Sequence, residues 1–169
     1  MDQYTYVSGA LSRSHYKHYI DSTFGGTGTP SWFRLGADVE DASVSLNPDV
    51  SVKKNILDEA YVEDNGYSPE LDIPTYYANP GDAIYEKVKA IALGRLTGDD
   101  CKTTALLVTV DSTSSPYTAY TEDAIIKPQS YGGAGQGKLT IPFNIMFAGN
   151  RAEGTATFTN KVPTFTAAT

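Results

Sequence analysis

The strongest structural pattern in this sequence is a row of apolar residues at every second position in its last third. The row consists of Leu139, Ile141, Phe143, Ile145 and Phe147. Successive side chains of a β-strand point to opposite faces of a sheet, so this spacing predicts a strand with one buried face. Such a strand must pair with other strands, and the pattern therefore favours a β-rich fold over a helical one.

Further segments show the alternation or the composition of strands. They are residues 32–36, 42–46, 50–63, 106–111, 117–127 and 155–159. The composition agrees, because the chain has 12 tyrosines, 15 glycines and 9 prolines but only 2 methionines, a balance that favours strands and turns. The segment 155–159 places Thr155, Thr157 and Thr159 on one face, and we expect that face to contact water.

One helix is predicted, over about residues 82–94. Asp82 follows Asn79-Pro80-Gly81 and can accept hydrogen bonds from the free N–H groups of a first helical turn. The apolar residues after it recur at helical spacing, which predicts an amphipathic helix packed against the sheet. Gly94 or Gly98 is expected to end this helix.

The tripeptide Asp64-Asn65-Gly66 predicts a hairpin turn, since Asn and Gly both tolerate the positive φ that two-residue hairpin turns require. A long β-hairpin loop is therefore predicted over about residues 50–77, with Asn65-Gly66 at its tip. Pro69 and Pro74 interrupt the returning run. Proline cannot donate to a β-ladder, so this run is expected to be an edge strand or an extended loop.

The length of 169 residues suits one β domain, which we place at residues 31–160. Residues 1–30 are predicted to be a flexible N-terminal arm, because they are polar and end in a glycine-rich stretch. Residues 161–169 are predicted to be a short C-terminal tail. No secretory leader is recognised at the N-terminus, so synthesis in the cytoplasm is expected.

The charge balance argues against nucleic-acid binding. The chain has 20 acidic and 13 basic side chains, which gives a net charge of −7. Proteins that bind nucleic acids non-specifically need Lys and Arg to displace counterions from phosphates. No window approaches the roughly 20 apolar residues of a membrane span, so no contact with a membrane is expected.

No motif predicts a catalytic residue, a cofactor site or a metal site. Residues 132–138 match a phosphate-binding pattern, but Leu139 follows where Ser or Thr is required, and the stretch opens a strand rather than a helix. His15 and His18 lack an evident third ligand, and we expect them to be solvated or to lie at an interface. Cys101 is the single cysteine and can form no internal disulfide.

Carboxylates are frequent enough for glycosidase chemistry, but their spacing selects no acid and base pair. They are Asp58, Glu59, Glu63, Asp64, Glu70 and Asp72. A solvated charged face of the hairpin is the simpler interpretation. A glycosidase is therefore kept as a third alternative.

Tyrosines cluster along the predicted hairpin at Tyr61, Tyr67, Tyr76 and Tyr77. Such rings stack on sugars in carbohydrate-binding modules, and they are also enriched where subunits contact each other. We favour the subunit contact. The candidate subunit or ring interface consists of Asp64, Asn65, Gly66, Tyr67, Tyr76 and Tyr77.

The order of several segments resembles the major tail tube proteins of long-tailed (siphovirus-like) bacteriophages that infect Gram-positive bacteria. The segments are Trp32-Phe33-Arg34-Leu35-Gly36, Ser45-Leu46-Asn47-Pro48, the charged run 53–59, the run 66–74 and Gly81-Asp82-Ala83-Ile84. The similarity extends from about residue 32 to residue 159 and lies in order and pattern rather than in a catalytic motif. Residues 1–30 have no counterpart in it.

The resemblance implies a mainly β, sandwich-like or barrel-like tail tube fold with a flanking helix and a long hairpin. It also implies a structural virion protein of the tail, not an enzyme, made in the host cytoplasm and needing no cofactor. Its hexameric rings would stack into a hollow tube and contact the tail terminator, tape measure and tail-tip proteins. DNA would pass through the lumen without specific binding, since an acidic wall repels phosphates.

Two alternatives besides the glycosidase remain open at this point. The first is the inner tube of a contractile tail or tailocin-like particle, which would need a sheath protein around it. The second, of a different class, is a carbohydrate-binding module.

Overall fold

The structure, a computed structural model, describes residues 4–169. The described part is mainly β, with one α-helix and two short 3₁₀ turns, at Arg13–His15 and Gly98–Cys101. The helix α1 spans Tyr85–Gly94. The strands are β1 (Tyr16–Asp21), β2 (Trp32–Arg34), β3 (Val44–Ser45), β4 (Pro48–Lys54), β5 (Ala60–Tyr67), β6 (Glu70–Ile73), β7 (Lys102–Thr109), β8 (Tyr117–Pro128), β9 (Phe143–Phe147), β10 (Ala152–Thr159) and β11 (Val162–Ala167).

Nine of these strands form one sheet, and β4 and β5 form a separate pair. The sheet order is β2-β1-β7-β8-β9-β6-β3, with β10 and β11 joined to it through β8. The long strand β8 makes this branching possible, because residues 117–121 pair with β10 and residues 124–128 pair with β9. The sheet curls into a half-barrel with α1 against it, which confirms the predicted mainly β, barrel-like fold with one helix.

The larger core lies between α1 and the sheet. Ile84 and Val88 bring the apolar stripe of the helix region into it, and both are fully buried. The row from Ile141 to Ile145 supplies its other side, as its period-two pattern predicts. A smaller core on the opposite face of the sheet gathers seven residues, which are Tyr19, Leu106, Val108, Val110, Tyr117, Ala119 and Ala156.

The N-terminal segment corrects the predicted arm, because β1 within it lies in the sheet between β2 and β7. Ile20 is completely buried, and Lys17 and His18 are nearly so. Two buried polar groups find hydrogen-bond partners here: the Lys17 Nζ donates to the Ser14 carbonyl at 2.9 Å, and the Thr103 hydroxyl donates to the main-chain carbonyl of Asp21 at 2.6 Å.

The C-terminal residues correct the predicted tail in the same way. Strand β11 pairs along its length with β10, from Thr159 opposite Val162 to Gly154 opposite Ala167. Residues 155–159 are therefore not the last strand of the fold. Thr155, Thr157 and Thr159 are exposed, as their spacing predicts.

The hairpin turn also lies elsewhere than predicted. Strands β4 and β5 are joined by residues 55–59, so the segment 50–63 contains the turn instead of being one strand. Asn65-Gly66 lies inside β5, where the pairing shifts between Pro48 and Val50. The positive φ of 91° at Gly66 is used at this irregularity instead of at a tip.

Two further details differ from the sequence predictions. The helix begins three residues after Asp82, with Ile84 at the N-cap and no side-chain cap. It ends at Gly94, as predicted, and Arg95 follows in a left-handed conformation. Strand β6 is bounded by Pro69 and Pro74, and it lies between β9 and the two-residue strand β3. No helix of the described residues has the length and apolar character that a membrane span needs.

Candidate assembly surface

The strands β4 and β5 form a ribbon that pairs with no strand of the main sheet. We call residues 48–67 the ribbon. Its base is fixed to the domain by Asn47, whose side-chain amide donates to the Ser68 carbonyl at 3.0 Å, and by the Ser68 amide, which donates to the Leu46 carbonyl at 3.2 Å. The ribbon is therefore held at one end only.

The two faces of the ribbon differ in chemistry. Val52 is paired with Val62, and Val50 lies on the same face by the period-two rule. We call Val50, Val52 and Val62 the valine face. Lys53, Tyr61 and Glu63 lie on the other face, where the Lys53 ammonium and the Glu63 carboxylate form an ion pair.

The valine face is uncovered. Val50, Val52 and Val62 are 55%, 70% and 67% exposed, although alternation of this kind normally marks a buried side. Contiguous exposed apolar surface of this sort is typical of sites where another molecule packs. The ribbon thus has an apolar face of the kind that, in a sheet, normally packs against a second layer.

The tip of the ribbon, residues 55–59, is both apolar and ordered. The Asn55 Oδ1 accepts hydrogen bonds from the amides of Leu57 at 2.9 Å and Glu59 at 3.1 Å. The Asn55 Nδ2 donates to the Glu59 carboxylate at 2.8 Å. This network holds Ile56 and Leu57 outward, where they are fully and 72% exposed. An ordered apolar tip loses little conformational entropy when it binds.

Four of the six predicted interface residues lie on the ribbon. Asp64, Asn65 and Tyr67 are exposed, and Gly66 is half-buried. The Asp64 carboxylate accepts a hydrogen bond from the Gly66 amide at 2.9 Å, which stabilises the irregular pairing. These residues lie near the base of the ribbon rather than at its tip.

The other two predicted residues lie outside the ribbon. Tyr76 is buried, with its ring 5.8 Å from that of Phe143 in an edge-to-face arrangement, and burial raises its pKa. Tyr77 is half-buried and bridges to Thr140, and the Lys138 ammonium lies 4.7 Å from its ring centre. The structure therefore does not bring the four tyrosines into one sugar-stacking platform.

The residues that make the ribbon apolar were not predicted as part of the interface. Val50 and Val52 show the alternation of a strand. A hairpin tip predicted at Asn65-Gly66, however, does not place Val62 opposite Val52. A turn at residues 55–59 sets Val62 opposite Val52. The detectable signal was Asn55, whose side chain can accept from the amides that follow it in a turn.

The possible metal ligands of the described chain do not assemble into a metal site. Residues 4–169 contain no group of three His, Cys, Asp or Glu side chains placed to hold a metal ion. Cys101 is fully buried, and its Sγ lies 3.2 Å from the Leu96 carbonyl. Residues 132–138 form a loop before β9, so no helix begins there.

The two histidines are buried, which corrects the solvated alternative of the prediction that they are solvated or lie at an interface. The His15 Nδ1 lies 2.7 Å from the Ser12 hydroxyl. The His18 Nε2 accepts from the Arg13 guanidinium at 2.9 Å. Burial, followed by the nearby charge of Arg13, lowers the pKa of His18 to about 4, so this imidazole is neutral at physiological pH.

Comparison with known proteins places the fold but not the function. No protein-family model matches the chain, and no curated protein matches its sequence significantly. Among solved structures, the chain is similar to the sheath/tube terminator of an extracellular contractile injection system, PVC, in its extended state. That similarity has a TM-score of 0.51 and 8% identity, and it covers 88% of this chain and 99% of the other.

A second similar structure is the tube-terminating cap of the anti-feeding prophage. Its TM-score is 0.49 and its identity 14%, and the match covers 89% of this chain and 95% of that chain. At such identities the likeness concerns the fold alone. The chain therefore shares the fold of the terminator subunit over nearly the whole length of that subunit.

Proposed function

We propose that this chain is a structural subunit of a tail-like particle, of the kind that forms the ring terminating a tube. The observation that carries the proposal is the ribbon, a separate amphipathic hairpin with an exposed valine face and an ordered apolar tip. A subunit that functions alone gains nothing from such a surface, whereas a neighbouring copy would bury it. The shared fold with the PVC sheath/tube terminator supports the proposal.

The free edge of β11 supports assembly as well. Residues 162–167 carry no charged side chain, and β11 pairs on one side only. An edge without charges can pair with another chain, and here only Pro163 lacks the N–H group that such pairing uses. In our proposal, sheet edges of adjacent copies lie side by side in a hexameric ring, and ring closure removes the exposed edges.

A second candidate is the major tube subunit itself, either of a long-tailed phage or of a contractile or tailocin-like particle. The observation that favours it is the presence of two separate open surfaces, the β11 edge and the ribbon. A subunit that stacks ring upon ring needs one surface for contacts within the ring and another between rings. In this candidate, tape measure and tail-tip proteins are further partners.

The acidity of the chain has a function in either candidate. With a net charge of −7, the wall of a ring or tube would repel DNA phosphates and let DNA pass without adhering. A ring whose measured electrostatic surface is basic on the inside would contradict this part of the proposal.

Negative-stain electron microscopy of the purified protein tests the proposal. Because Pro48 and Tyr67 lie opposite each other at the base of the ribbon, a two-residue Asn-Gly turn can replace residues 49–66. We expect single rings from the intact chain and folded monomers from the ribbon-less variant, which should keep the near-ultraviolet circular dichroism of the buried aromatic side chains. Long tubes from the intact chain would select the second candidate.

A matched control separates the effect of a charge on the valine face from the effect of the same charge elsewhere on the surface. Val52→Asp alters the valine face, and Thr157→Asp places the same charge on the exposed face of β10. Only Val52→Asp should prevent ring formation. Persistent monomers of the intact chain at every concentration, or rings formed equally well by the ribbon-less variant, would refute the proposal.

A further inference from the structure

Six strands of the sheet form one continuous series with a free edge at each end. Their order is β2-β1-β7-β8-β10-β11, and every neighbouring pair is antiparallel. Strand β2 pairs only with β1, and β11 pairs only with β10. Each edge therefore presents main-chain groups that no described strand binds.

The free main-chain groups of β2 belong to Trp32 and Arg34. The Ser22 amide donates to the Ser31 carbonyl at 2.8 Å and continues the ladder between β1 and β2. Positions that bind the partner strand alternate along an antiparallel strand with positions that do not. Trp32 and Arg34, one and three residues after Ser31, therefore point their N–H and C=O groups away from β1.

The free main-chain groups of β11 belong to Phe165 and Ala167. The Ala168 amide donates to the Glu153 carbonyl at 3.0 Å and continues the ladder between β10 and β11. The same alternation points the N–H and C=O groups of Phe165 and Ala167 outward. Pro163 belongs to the same outward set, where an edge strand tolerates a residue that has no N–H group.

The outward groups of both edges belong to residues whose side chains lie on one face of the sheet. Trp32 and Phe165 both pack against the smaller core, and Arg34 and Ala167 share their faces by alternation. Residues that lie directly opposite each other in an antiparallel ladder also have their side chains on one face. The two edges can therefore form a regular ladder with each other.

The directions of the two edges are compatible as well. Five successive antiparallel pairings make β2 and β11 run in opposite directions within one copy. A rotation about a ring axis that follows the strands keeps each direction unchanged. Strand β11 of one copy would then meet β2 of the next copy in an antiparallel arrangement, a heterologous contact of the kind that generates closed rings or open filaments.

We propose that β11 of one copy pairs with β2 of the neighbouring copy, with Phe165 opposite Arg34. Ala167 then lies opposite Trp32, which gives two hydrogen-bonded pairs. One other register keeps the whole of β2 opposite β11, but it places Pro163, which has no N–H group, opposite Arg34. The inference rests on the proposed function and names the strands that meet in the ring.

This pairing acts together with the ribbon contact. Strand β2 has three residues, so the ladder between copies is short, and short edges are weak templates on their own. A charge on an edge strand often prevents pairing. The Arg34 guanidinium, however, donates to the Tyr4 hydroxyl at 3.1 Å, and the Tyr4 ring packs on Phe158 of the smaller core.

Disulfide trapping between two single-site variants tests the strand pairing. Ser31 and Ala168 are exposed and lie opposite each other in the proposed register, one residue beyond β2 and β11. They form a non-hydrogen-bonded pair, in which the Cα atoms are about 4.5 Å apart, within the range of a disulfide. Ser31→Cys is mixed with Ala168→Cys and oxidised mildly, while the native Cys101 is fully buried and does not compete.

A mixture of Ser31→Cys with Thr164→Cys is the matched control, because Thr164 is exposed on the same face of β11. We expect at least about ten times more mixed disulfide with Ala168→Cys, since four residues of strand span about 13 Å and put the control thiol out of reach. Equal yields, or a higher yield with Thr164→Cys, would overturn the inference.

Proline substitution provides an independent readout. Ala167→Pro removes an outward N–H group, so in the Ala168→Cys chain it should lower the mixed-disulfide yield about tenfold and leave the unfolding midpoint of dilute protein nearly unchanged. Thr166→Pro removes an N–H group that faces β10, so it should lower that midpoint. A mixed-disulfide yield that Ala167→Pro does not change would contradict the proposed pairing.

Microscopy separates this inference from the proposed function. Rings from the intact chain together with equal disulfide yields would overturn the pairing of β11 with β2 while leaving the ring subunit intact. Absence of both rings and mixed disulfide would overturn both.

Discussion

The chain contains two antiparallel hairpins of similar size, and they differ in whether their apolar face is covered. The hairpin β10–β11 is joined to β8, and it buries Gly154, Ala156 and Pro163 against the smaller core. Its opposite face shows threonines to water. The ribbon β4–β5 joins no other strand, and its apolar face and its charged face are both exposed.

This difference teaches what each hairpin contributes. An isolated two-stranded hairpin is marginally stable in water, and a third strand or a packed face is needed for independent stability. The hairpin β10–β11 has both and contributes to the stability of the domain. The ribbon has neither, so its apolar residues contribute little to the folding of the single chain. In the proposed assembly, another copy supplies the contacts that stabilise them.

The largest expected effect is on the free energy of unfolding when an aspartate is placed on the apolar face of each hairpin. Ala156 on β10 is fully buried and Val52 on β4 is 70% exposed. Ala156→Asp should lower the free energy of unfolding by about 4 kcal/mol, because it leaves a carboxylate buried without a partner. Val52→Asp should change it by less than about 0.5 kcal/mol. Urea denaturation of dilute protein measures both values.

Equal destabilisation of the monomer by the two substitutions would contradict this distinction between the hairpins. That result would mean that the valine face is covered within the single chain. Thr157→Asp, on the exposed face of β10, provides the reference for an added charge that meets no core.

The second expected effect is a dependence of the stability of the domain on pH, which comes from the β1 region and not from the ribbon. Both histidines of the chain lie in or next to β1, and the ribbon contains none. The unfolded His18 binds a proton near pH 6.5 and the folded one near pH 4, so between these values the unfolded state holds more protons. Stability contributed by neutral His18 is complete above about pH 6.5 and is lost as the pH falls towards 4.

The expected loss is about 3 kcal/mol over this window. Denaturation curves at several pH values measure it, and His18→Gln should flatten the slope between pH 6.5 and 4.5. A slope that is the same in both proteins would assign the acid sensitivity to other groups.

The smallest effect concerns the two turns. Asn160 and Lys161 join β10 to β11 with φ of 51° and 68°, and positive φ at both positions is typical of a type I′ turn. Lysine is strained there, so Lys161→Gly should stabilise the domain by about 1 kcal/mol. Asp58→Gly, at φ 63° in the ribbon tip, should leave the unfolding midpoint nearly unchanged, because the ribbon contributes little to the stability of the monomer.

Thermal unfolding of the two variants beside the parent checks this pair. An equal gain from Asp58→Gly would show that the ribbon unfolds together with the sheet and would remove the distinction between the hairpins.

Local sequence patterns predicted β9 and α1. The row from Leu139 to Phe147 contains β9 and three fully or almost fully buried residues, and the apolar spacing after Asp82 located α1. Both patterns carry their own period, so their elements can be recognised without knowing their partners.

The rest depended on contacts distant in sequence. Strand β1 contains Lys17, His18 and Asp21, which predict an exposed segment, yet it is buried because its main chain pairs with residues 105–109, far along the chain. A local signal can also mislead, since Asn65-Gly66 suits a turn but the pairing of Val52 with Val62 places the turn at Asn55. Asp64, Asn65, Gly66 and Tyr67 accordingly lie near the base of the ribbon instead of at a hairpin tip, and Tyr76 is a core residue.

The central claim is that the ribbon is the surface through which copies of this chain meet. Hydrogen exchange of backbone amides, followed by mass spectrometry at low and at high protein concentration, tests it most directly. We expect exchange within residues 48–67 to slow strongly as concentration rises, while the amides shared between β8 and β10 exchange at the same rate throughout. Ribbon amides that exchange equally fast in the assembled and the dilute protein would contradict the claim.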